Sequence, residues 1–527
     1  MKILITLALL PLPLSAQRFY GDDPLQFEPK PHNVPVAANR KLSDYYDLFS
    51  NQFGNPGERN KPKSPPTRAK GVSTLGEPMQ GAWWMERHYY NRMSLEQLQL
   101  GAGGKTPPAP GKWTIISAKN EGVTPGFTIL DANKRMFFVK FDPKSNPEMA
   151  TAADAVTGRL FHAMGYHVPD NYIAYFTEKD LEIGKDVKIA GALGKKRPMV
   201  WADVEEILRK VPQTKDNKYR ATASLALPGK PIGPPRYFGT RADDPNDTVP
   251  HEHRRDFRGL HVIDAWLDHD DSRAINNIDI LVKENGVQYV RHYQLDFGST
   301  LGSATEKANS ARSGTYFFSW KESAAQLFTL GLYVPYWAKA DYPDFPSIGK
   351  FEYKVFDPER WVPEYPNVAF LNRLPDDEFW GAKLVTAFTD EEIKAIVAKG
   401  ELSDPKAAEW LATCLTERRN KIGKAYFKKV LPFDQFRIDT GKLQWVDLAA
   451  KLGYYPETPV DIQWSAFDNA ANKKSPIAGA TTASLPSLRD GYSCATLTSR
   501  SKKSQTIDVF LRHAGANTQI VGIDRTW

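Results

Sequence analysis

The chain has 527 residues, and its 69 Lys and Arg against 62 Asp and Glu give a net charge of +7 at pH 7. A hydrophobic share of 41% and a charged share of 25% are typical of packed globular proteins, which excludes a disordered, collagenous or membrane-spanning chain. This length predicts about two to four folded units. The positive charges form no long basic block, so nucleic acid is not the expected partner. Only Cys414 and Cys494 are available for a disulfide, and the sequence leaves their pairing open.

The N-terminal residues have the layout of a secretory signal peptide. Lys2 precedes an apolar run from Ile3 to Leu14, and the run is followed by small residues that end at Ala16. The run is too short to span a bilayer as a helix, so residues 1–16 are predicted to be a signal peptide. We therefore expect export to the periplasm or secretion, with no transmembrane segment after signal removal.

The amino-acid composition of the first half of the chain changes at residue 113. Residues 17–112 are rich in Pro, Gly and charges, which predicts an N-terminal extension that ends in a flexible linker. The runs WTIISA, GFTIL and MFFVKF follow, separated by turn signals, and predict a three-stranded meander. A helix capped by Asn146 and stopped at Gly165 comes next. These elements belong to a predicted unit that covers residues 113–241.

The second half predicts a helix, a hairpin, further helices and a β-rich tail. Apolar residues at helical spacing place a helix at 253–268, and two strands flank the turn at 284–286. Residues 317–430 show recurring amphipathic patterns and are expected to be mostly helical. These elements, from the helix at 253–268 onward, belong to a predicted unit that covers residues 242–432. Runs such as DIQWSAF and TIDVFLR predict a small β unit at 433–527.

Two motifs flank the predicted hairpin. HDDSRAIN, from His269 to Asn276, has the form H-x-D-x4-N, and Asp296-Phe297-Gly298 follows at the hairpin's end. This order and setting resemble the protein-kinase-like superfamily. The resemblance implies a two-lobed α+β fold, with a β-rich N-lobe at 113–241 and a helical C-lobe at 242–432. The chain lacks G-x-G-x-x-G and A-P-E, so it looks closer to divergent groups such as the HipA, CotH and phosphatidylinositol kinases.

The resemblance implies a role for each motif residue. Phosphoryl transfer depends on positioning and on neutralising charge at the transferring group. Asp271 matches the base that orients the acceptor hydroxyl, and His269 is expected to hold the loop in place. Asn276 and Asp296 match the ligands of Mg²⁺, with ATP as the expected nucleotide. Asn277 and Asp279 stay open as alternatives to Asn276, because a shift of one residue is compatible with the spacing.

A lysine and an acid upstream match the phosphate-binding side of such a site. Lys140 lies on the third strand of the meander, where the resemblance places the lysine that contacts the nucleotide phosphates. Its acidic partner on the next helix is Glu148 or Asp154. Asp154 lies at the edge of the apolar face while Glu148 points almost opposite, so Asp154 is favoured. The segment 119–126 occupies the place of the phosphate-covering loop.

The sequence also allows other interpretations. A catalytically silent kinase-like scaffold that binds an envelope partner is the main alternative, and the acceptor, protein or small molecule, stays unknown. A secreted hydrolase lacks support, because the chain has neither G-x-S-x-G nor H-E-x-x-H. The basic cluster at 251–255 lacks the spacing of a metal site and is interpreted as a solvated helix start. Four tryptophans are left without a role: Trp83, Trp84, Trp320 and Trp337.

Overall fold

The structure is a computed structural model that describes residues 17–43, 45–50, 66–103, 106–119, 125–190, 196–330, 332–488 and 490–527. The predicted signal peptide and most of the predicted phosphate-covering loop lie outside the described residues. The chain forms two compact units. The larger consists of Gln26–Val72 and Pro78–Lys429, and the smaller combines Ser73–Glu77 and Val430–Trp527 with the described residues up to Leu25.

A six-stranded sheet dominates the first part of the larger unit. Its order is β4-β8-β3-β2-β1-β5, and every pair is antiparallel except β1 with β5. The strands here are β1 (Trp113–Lys119), β2 (Gly126–Leu130), β3 (Met136–Phe141), β4 (Asn171–Phe176), β5 (Leu181–Ile183), β6 (Lys188–Ala190), β7 (Lys196–Pro198), β8 (Tyr219–Leu225) and β9 (Lys230–Pro231). The predicted meander is confirmed, because alternating apolar residues place one face of each strand in the core.

Four helices accompany this sheet: α1 (Tyr46–Phe49), α2 (Leu95–Leu100), α3 (Met149–Ala163) and α4 (Trp201–Arg209). Helix α3 is buried on nearly every face, as its Ala-rich sequence allows. The prediction that Asn146 caps it is wrong. Glu148 precedes the helix with left-handed backbone, φ 69°, and separates it from the turn that contains Asn146. The Asn146 amide instead donates to the carbonyl of Pro346.

Helices and one hairpin make up the second part of the larger unit. They are α5 (Arg255–Leu267), β10 (Asn277–Glu284), β11 (Val287–Gln294), α6 (Trp320–Phe328), α7 (Val368–Leu371), α8 (Pro375–Thr386), α9 (Asp390–Val397) and α10 (Pro405–Phe427). The predicted mixture of a sheet-rich and a helical part is therefore confirmed. The expectation of mostly helical structure is wrong for 332–367, where six prolines prevent continuous helix.

The predicted basic, solvated helix start at 251–255 is also wrong. The side chain of His251 is buried and pairs with Asp247 at 2.8 Å. Arg254 is buried as well and pairs with Asp256 at 2.8 Å. Each basic side chain lies next to an acid that offsets the cost of its burial, so this segment is an internal network of paired side chains rather than a solvated surface.

The smaller unit is a β structure. Its elements are β12 (Phe433–Asp439), β13 (Lys442–Asp447), α11 (Leu448–Lys451), β14 (Val460–Asp468), β15 (Lys473–Pro476), β16 (Asp490–Ser499), β17 (Thr506–Ala514) and β18 (Asn517–Thr526). Five strands form an antiparallel sheet of order β15-β14-β16-β17-β18, as the alternating patterns predict. Phe19 is buried in this unit against Phe467 and Phe510. The sequence had assigned it to the extension.

Cys414 and Cys494 are both buried free thiols. Burial raises the pKa of each thiol, so neither carries the thiolate that reactive cysteines need. Each unit therefore depends on its buried core for stability. Within the described residues, no helix has the length and apolar character that crossing a membrane requires.

Candidate functional site

Lys140 and Asp296 form the centre of the candidate site. Lys140 lies on β3 between β2 and β8, and its amine donates to the Asp296 carboxylate at 2.6 Å. Asp296 follows β11 in a left-handed backbone conformation, φ 59°. The two side chains are 36% and 41% exposed, so both remain open to a ligand. Burial disfavours the charged amine, but Asp296 and Asp154 outweigh it and raise the pKa of Lys140.

Asp154 joins α3 to this pair. It is 3% exposed, and its carboxylate interacts electrostatically with Lys140 and with the backbone N–H of Gly298. Burial raises the pKa of Asp154 to about 6, against the opposing effect of Lys140. The other candidate, Glu148, accepts a hydrogen bond from the Ser403 N–H at 2.8 Å. The geometry therefore brings Asp154, not Glu148, to Lys140.

The Phe297 ring fixes the segment that carries Asp296. It is fully buried and packs on Phe161 of α3 with ring centroids 4.8 Å apart, and on His269 at 6.3 Å. His269 lies 3.4 Å from the Asp264 carboxylate. Burial disfavours the charged imidazole, but Asp264 outweighs it and raises the pKa of His269. His269 is thus enclosed between a ring and a carboxylate, which is the geometry of a positioning residue.

Asp271 lies in the loop between α5 and β10. Its carboxylate pairs with the Arg273 guanidinium, whose Nη2 is 3.0 Å away, and accepts from the Asn276 amide at 3.0 Å. The same amide nitrogen donates to the Asp271 carbonyl at 2.6 Å. The side chain of Asp271 is 21% exposed. The loop therefore holds the carboxylate in one orientation while leaving an edge open to a substrate.

The residues present fit a divalent cation that is shared with phosphate. The hairpin brings Asn276 next to Asp296, because the N–H of Leu295 donates to the Asn276 carbonyl at 3.0 Å. The Asn276 amide nitrogen is engaged by Asp271, which leaves its side-chain oxygen as the possible ligand. No group of three or more His, Cys, Asp or Glu in the described part of the chain has metal-binding geometry. Mg²⁺ typically takes one or two protein oxygens and completes its shell with phosphates and waters.

The two alternatives to Asn276 differ in how far their side chains are engaged. The amide of Asn277 donates to the Tyr237 hydroxyl and to the Arg273 carbonyl. Asp279 is 1% exposed and is held between Arg241, at 3.0 Å, and His292, at 2.7 Å. These contacts exclude Asp279, but they leave the side-chain oxygen of Asn277 without a hydrogen bond among the described residues. Asn276 is favoured instead by its backbone bond to Leu295, the residue before Asp296.

A cavity of about 350 Å³ opens beside Asp271. Its walls carry both acidic and basic groups, among them Glu364, Arg312 and Arg273. Burial and the neighbouring Asp268 raise the pKa of Asp270, which also lines the cavity. The space suits a polar group that presents a hydroxyl to Asp271.

Two positioning residues of the site, Arg273 and Asp47, are not predicted from the sequence. Arg273, two residues after Asp271, orients the Asp271 carboxylate. The sequence signal that could identify this role is the presence of a cation inside the H-x-D-x4-N motif. Asp47 of α1 is 2% exposed and accepts a hydrogen bond from the Ala274 N–H at 2.9 Å. This contact caps the short 3-10 helix Ala274–Asn276. No local pattern marks Asp47, because it lies in the predicted extension, far from the loop in sequence.

Comparison with known proteins adds little to this geometry. No protein-family model and no curated protein matches the chain. A solved structure of the Golgi casein kinase is similar at 11% identity with a TM-score of 0.28, over 78% of this chain and 94% of that chain. The Golgi casein kinase with Mn/ADP bound is similar at 11% identity with a TM-score of 0.29, over 75% and 95%. TM-scores this low carry no argument, so function has to be argued from the side chains.

Proposed function

We propose that the chain is an exported, kinase-like phosphotransferase that moves a phosphoryl group from a nucleotide to a hydroxyl acceptor. The observation that carries the proposal is one ordered constellation: Lys140 paired with Asp296, Asp154 beside them, and Asp271 bonded to Asn276 at the same end of the hairpin. Separated stretches of sequence supply these groups. A two-lobed kinase-like arrangement is the simplest account of their order.

Each residue has a task in the reaction. Lys140 binds phosphate oxygens of the nucleotide, and Asp154 stabilises its positive charge. Asp296 and Asn276 would hold Mg²⁺, which neutralises charge on the phosphates when bound. Asp271 accepts the proton of the acceptor hydroxyl as the new O–P bond forms. The bond between the γ-phosphorus and the oxygen that bridges to the β-phosphate breaks, and ADP is the leaving group. The acceptor occupies the cavity beside Asp271.

Binding and turnover test the proposal separately. Purified wild-type protein should bind ATP in a Mg²⁺-dependent way by isothermal titration calorimetry and should phosphorylate itself or an added acceptor. Asp296→Ala should abolish both, with an unchanged circular dichroism spectrum. Asp357→Ala is the matched control, because Asp357 is 42% exposed and also pairs with a cation, Arg360 at 3.4 Å. It should bind ATP like the wild type.

The outcomes separate the enzyme from its alternative. Absence of ATP binding in wild type and variant alike would overturn the proposal. Mg²⁺-dependent binding without phosphoryl transfer to any of a panel of acceptors would instead support the silent scaffold. Export is tested by fractionating cells that express the full chain, with and without residues 1–16.

A further inference from the structure

A second cavity of the larger unit lies outside the proposed catalytic site. It has a volume of about 660 Å³, which is in the range of small-molecule sites. It shares no lining residue with the cavity beside Asp271. Segments of the N-terminal extension, the connector near 244–254 and strand β11 form its walls. Nothing in the phosphotransferase mechanism uses it.

The walls of this cavity are largely apolar and aromatic. Trp83 stacks on His292 with ring centroids 3.2 Å apart and is covered by the Arg254 guanidinium at 4.7 Å. Phe27 is 57% exposed, and Val290 of β11 lies nearby in the lining. A cavity of this composition favours a ligand with a flat or apolar body.

Most of the charged groups that line the cavity have partners of opposite charge. Arg291 makes two hydrogen bonds to Glu284, at 2.6 and 2.7 Å. Arg254 pairs with Asp256 and with Glu28. These arginines are therefore neutralised within the protein.

Three charged groups of the lining, Arg87, the exposed Lys30 and the buried Asp244, have no such ion pair among the described residues. Of the two cations, Arg87 lies deeper, and its Nη1 donates to the carbonyls of His162 and Tyr166, both at 2.7 Å, at the C-terminal end of α3. No carboxylate among the described residues lies within ion-pair distance of it, and none of them accepts from its Nε or Nη2. Burial and the neighbouring Arg291 lower the pKa of Arg87 to about 10, so it is still charged at pH 7. The two contacts to carbonyls use only Nη1 of Arg87. The edge of the guanidinium formed by Nε and Nη2, which matches the two oxygens of a carboxylate, remains available to a ligand.

We propose that this cavity binds a small organic carboxylate whose apolar or aromatic body contacts Phe27 and whose carboxylate pairs with Arg87. A charge that is withdrawn from water without a counter-ion is costly, and a bound anion removes that cost. The planar fork of a guanidinium binds both oxygens of a carboxylate. The site is independent of the proposed phosphotransferase activity.

A pair of probes that differ only in charge tests the proposal. The dissociation constants of 2-naphthoate and of its neutral amide, 2-naphthamide, are measured by isothermal titration calorimetry on the full chain. We expect 2-naphthoate to bind about tenfold or more tightly, since hydrogen bonds between charged groups are the strong ones. Equal affinities, or no binding of either probe, would overturn the proposal without any mutation.

Variants locate the preference. Arg87→Met should bring the affinity for 2-naphthoate down to that for the amide, and Arg87→Lys should restore part of the difference. Arg159→Met is the matched control, because Arg159 is buried and likewise donates to carbonyls, at Gln99 and Ala155, but does not line this cavity. The Arg159→Met variant should keep the wild-type preference for 2-naphthoate over 2-naphthamide. A preference that survives Arg87→Met would refute the assignment to this cavity.

The proposed catalytic site is excluded by competition. Saturating ATP with Mg²⁺ should not displace 2-naphthoate, and Asp296→Ala should bind it like the wild type. Displacement by ATP would place the probe in the nucleotide site and overturn the inference. Failure of ATP binding alone would leave the 2-naphthoate result intact, so the two proposals fail independently.

Discussion

Four aspartates close to the β10–β11 hairpin divide into two kinds. Asp264 and Asp279 have side chains that are 0% and 1% exposed, whereas Asp271 and Asp296 are 21% and 41% exposed. All four lie next to a cationic or ionisable partner. An ion pair alone therefore does not distinguish a functional carboxylate from a structural one. Exposure does, because a substrate or metal must reach the oxygen.

The enclosed pair supports the exposed pair. Asp264 holds His269, whose ring packs against Phe297. Asp279 joins β10 to Arg241 and His292. Both acids thus fix elements that carry Asp271 or Asp296 without touching the open side of the site. Substituting an exposed aspartate, Asp271 or Asp296, should lower activity. Substituting an enclosed one, Asp264 or Asp279, should lower stability.

The largest expected effect is on turnover in Asp271→Asn. The amide keeps the shape of the carboxylate but cannot accept the acceptor's proton, so phosphoryl transfer should fall by about 10²- to 10⁴-fold. The affinity for ATP should stay within about twofold, because the proposed nucleotide contacts lie on Lys140 and Asp296. Radiolabelled phosphoryl transfer and calorimetry measure the two quantities. Full activity in this variant would remove Asp271 from the mechanism.

The second effect is on stability in Asp279→Ala. This change leaves the buried Arg241 without its partner on β10, and breaking a buried ion pair costs about 3–5 kcal/mol. Denaturant unfolding followed by circular dichroism measures the loss. Asp271→Asn is the control and should lose less than about 1 kcal/mol, as partly exposed pairs do. Equal losses in both variants would break the division between the two kinds of aspartate.

The third effect depends on pH and on Asp154. Its folded pKa of about 6 lies above the unfolded value of about 3.9, so its contribution to stability is present at low pH and is lost as the pH rises through 6. Nucleotide affinity should change in the opposite direction. Protonation below pH 6 removes the charge that stabilises Lys140, and affinity for ATP should fall about tenfold between pH 7 and pH 5.

Asp154→Asn provides the comparison for this pH profile. The variant should bind ATP weakly at pH 7 and should show no inflection near pH 6. Because stability and affinity move in opposite directions, unfolding at low pH does not explain a loss of binding in the wild type. An unchanged inflection in Asp154→Asn would assign it to another group.

The sequence predicts most of the elements for a clear physical reason, whereas the roles of the site residues rest on the resemblance to a known family. Alternation gives the bounds of β2 and β3, and the hairpin brings Asn276 next to Asp296 through regular pairing of its strands. Residues at the two ends of a hairpin must lie close together. The relation between Lys140 and Asp296 required the resemblance to a known family, since no local pattern joins a strand to a distant turn.

The contacts that the sequence did not predict are long-range. Asp47 caps the loop of Asp271 from the predicted extension, and Phe19 packs into the smaller unit. The cavity around Arg87 combines segments from three regions of the chain. Apolar and charged residues in such segments have no periodicity, because each contacts a different element. Composition predicts a Pro/Gly-rich extension that ends in a linker and assigns no contacts to it, whereas its described residues line the cavity and cap the loop of Asp271.

The smallest expected effect distinguishes the two acids that the sequence proposed as partners of Lys140. Glu148→Gln keeps a side-chain oxygen that can accept from the Ser403 N–H, so stability should change by less than about 1 kcal/mol. The affinity for ATP should stay within about twofold of wild type at every pH, with the inflection near 6 retained. Calorimetry at pH 5, 6 and 7 beside Asp154→Asn makes the comparison. If Glu148→Gln weakened binding as much as Asp154→Asn, the acid that stabilises the charge of Lys140 would not be Asp154 alone, and the assignment of that role from the interaction between Asp154 and Lys140 would be wrong.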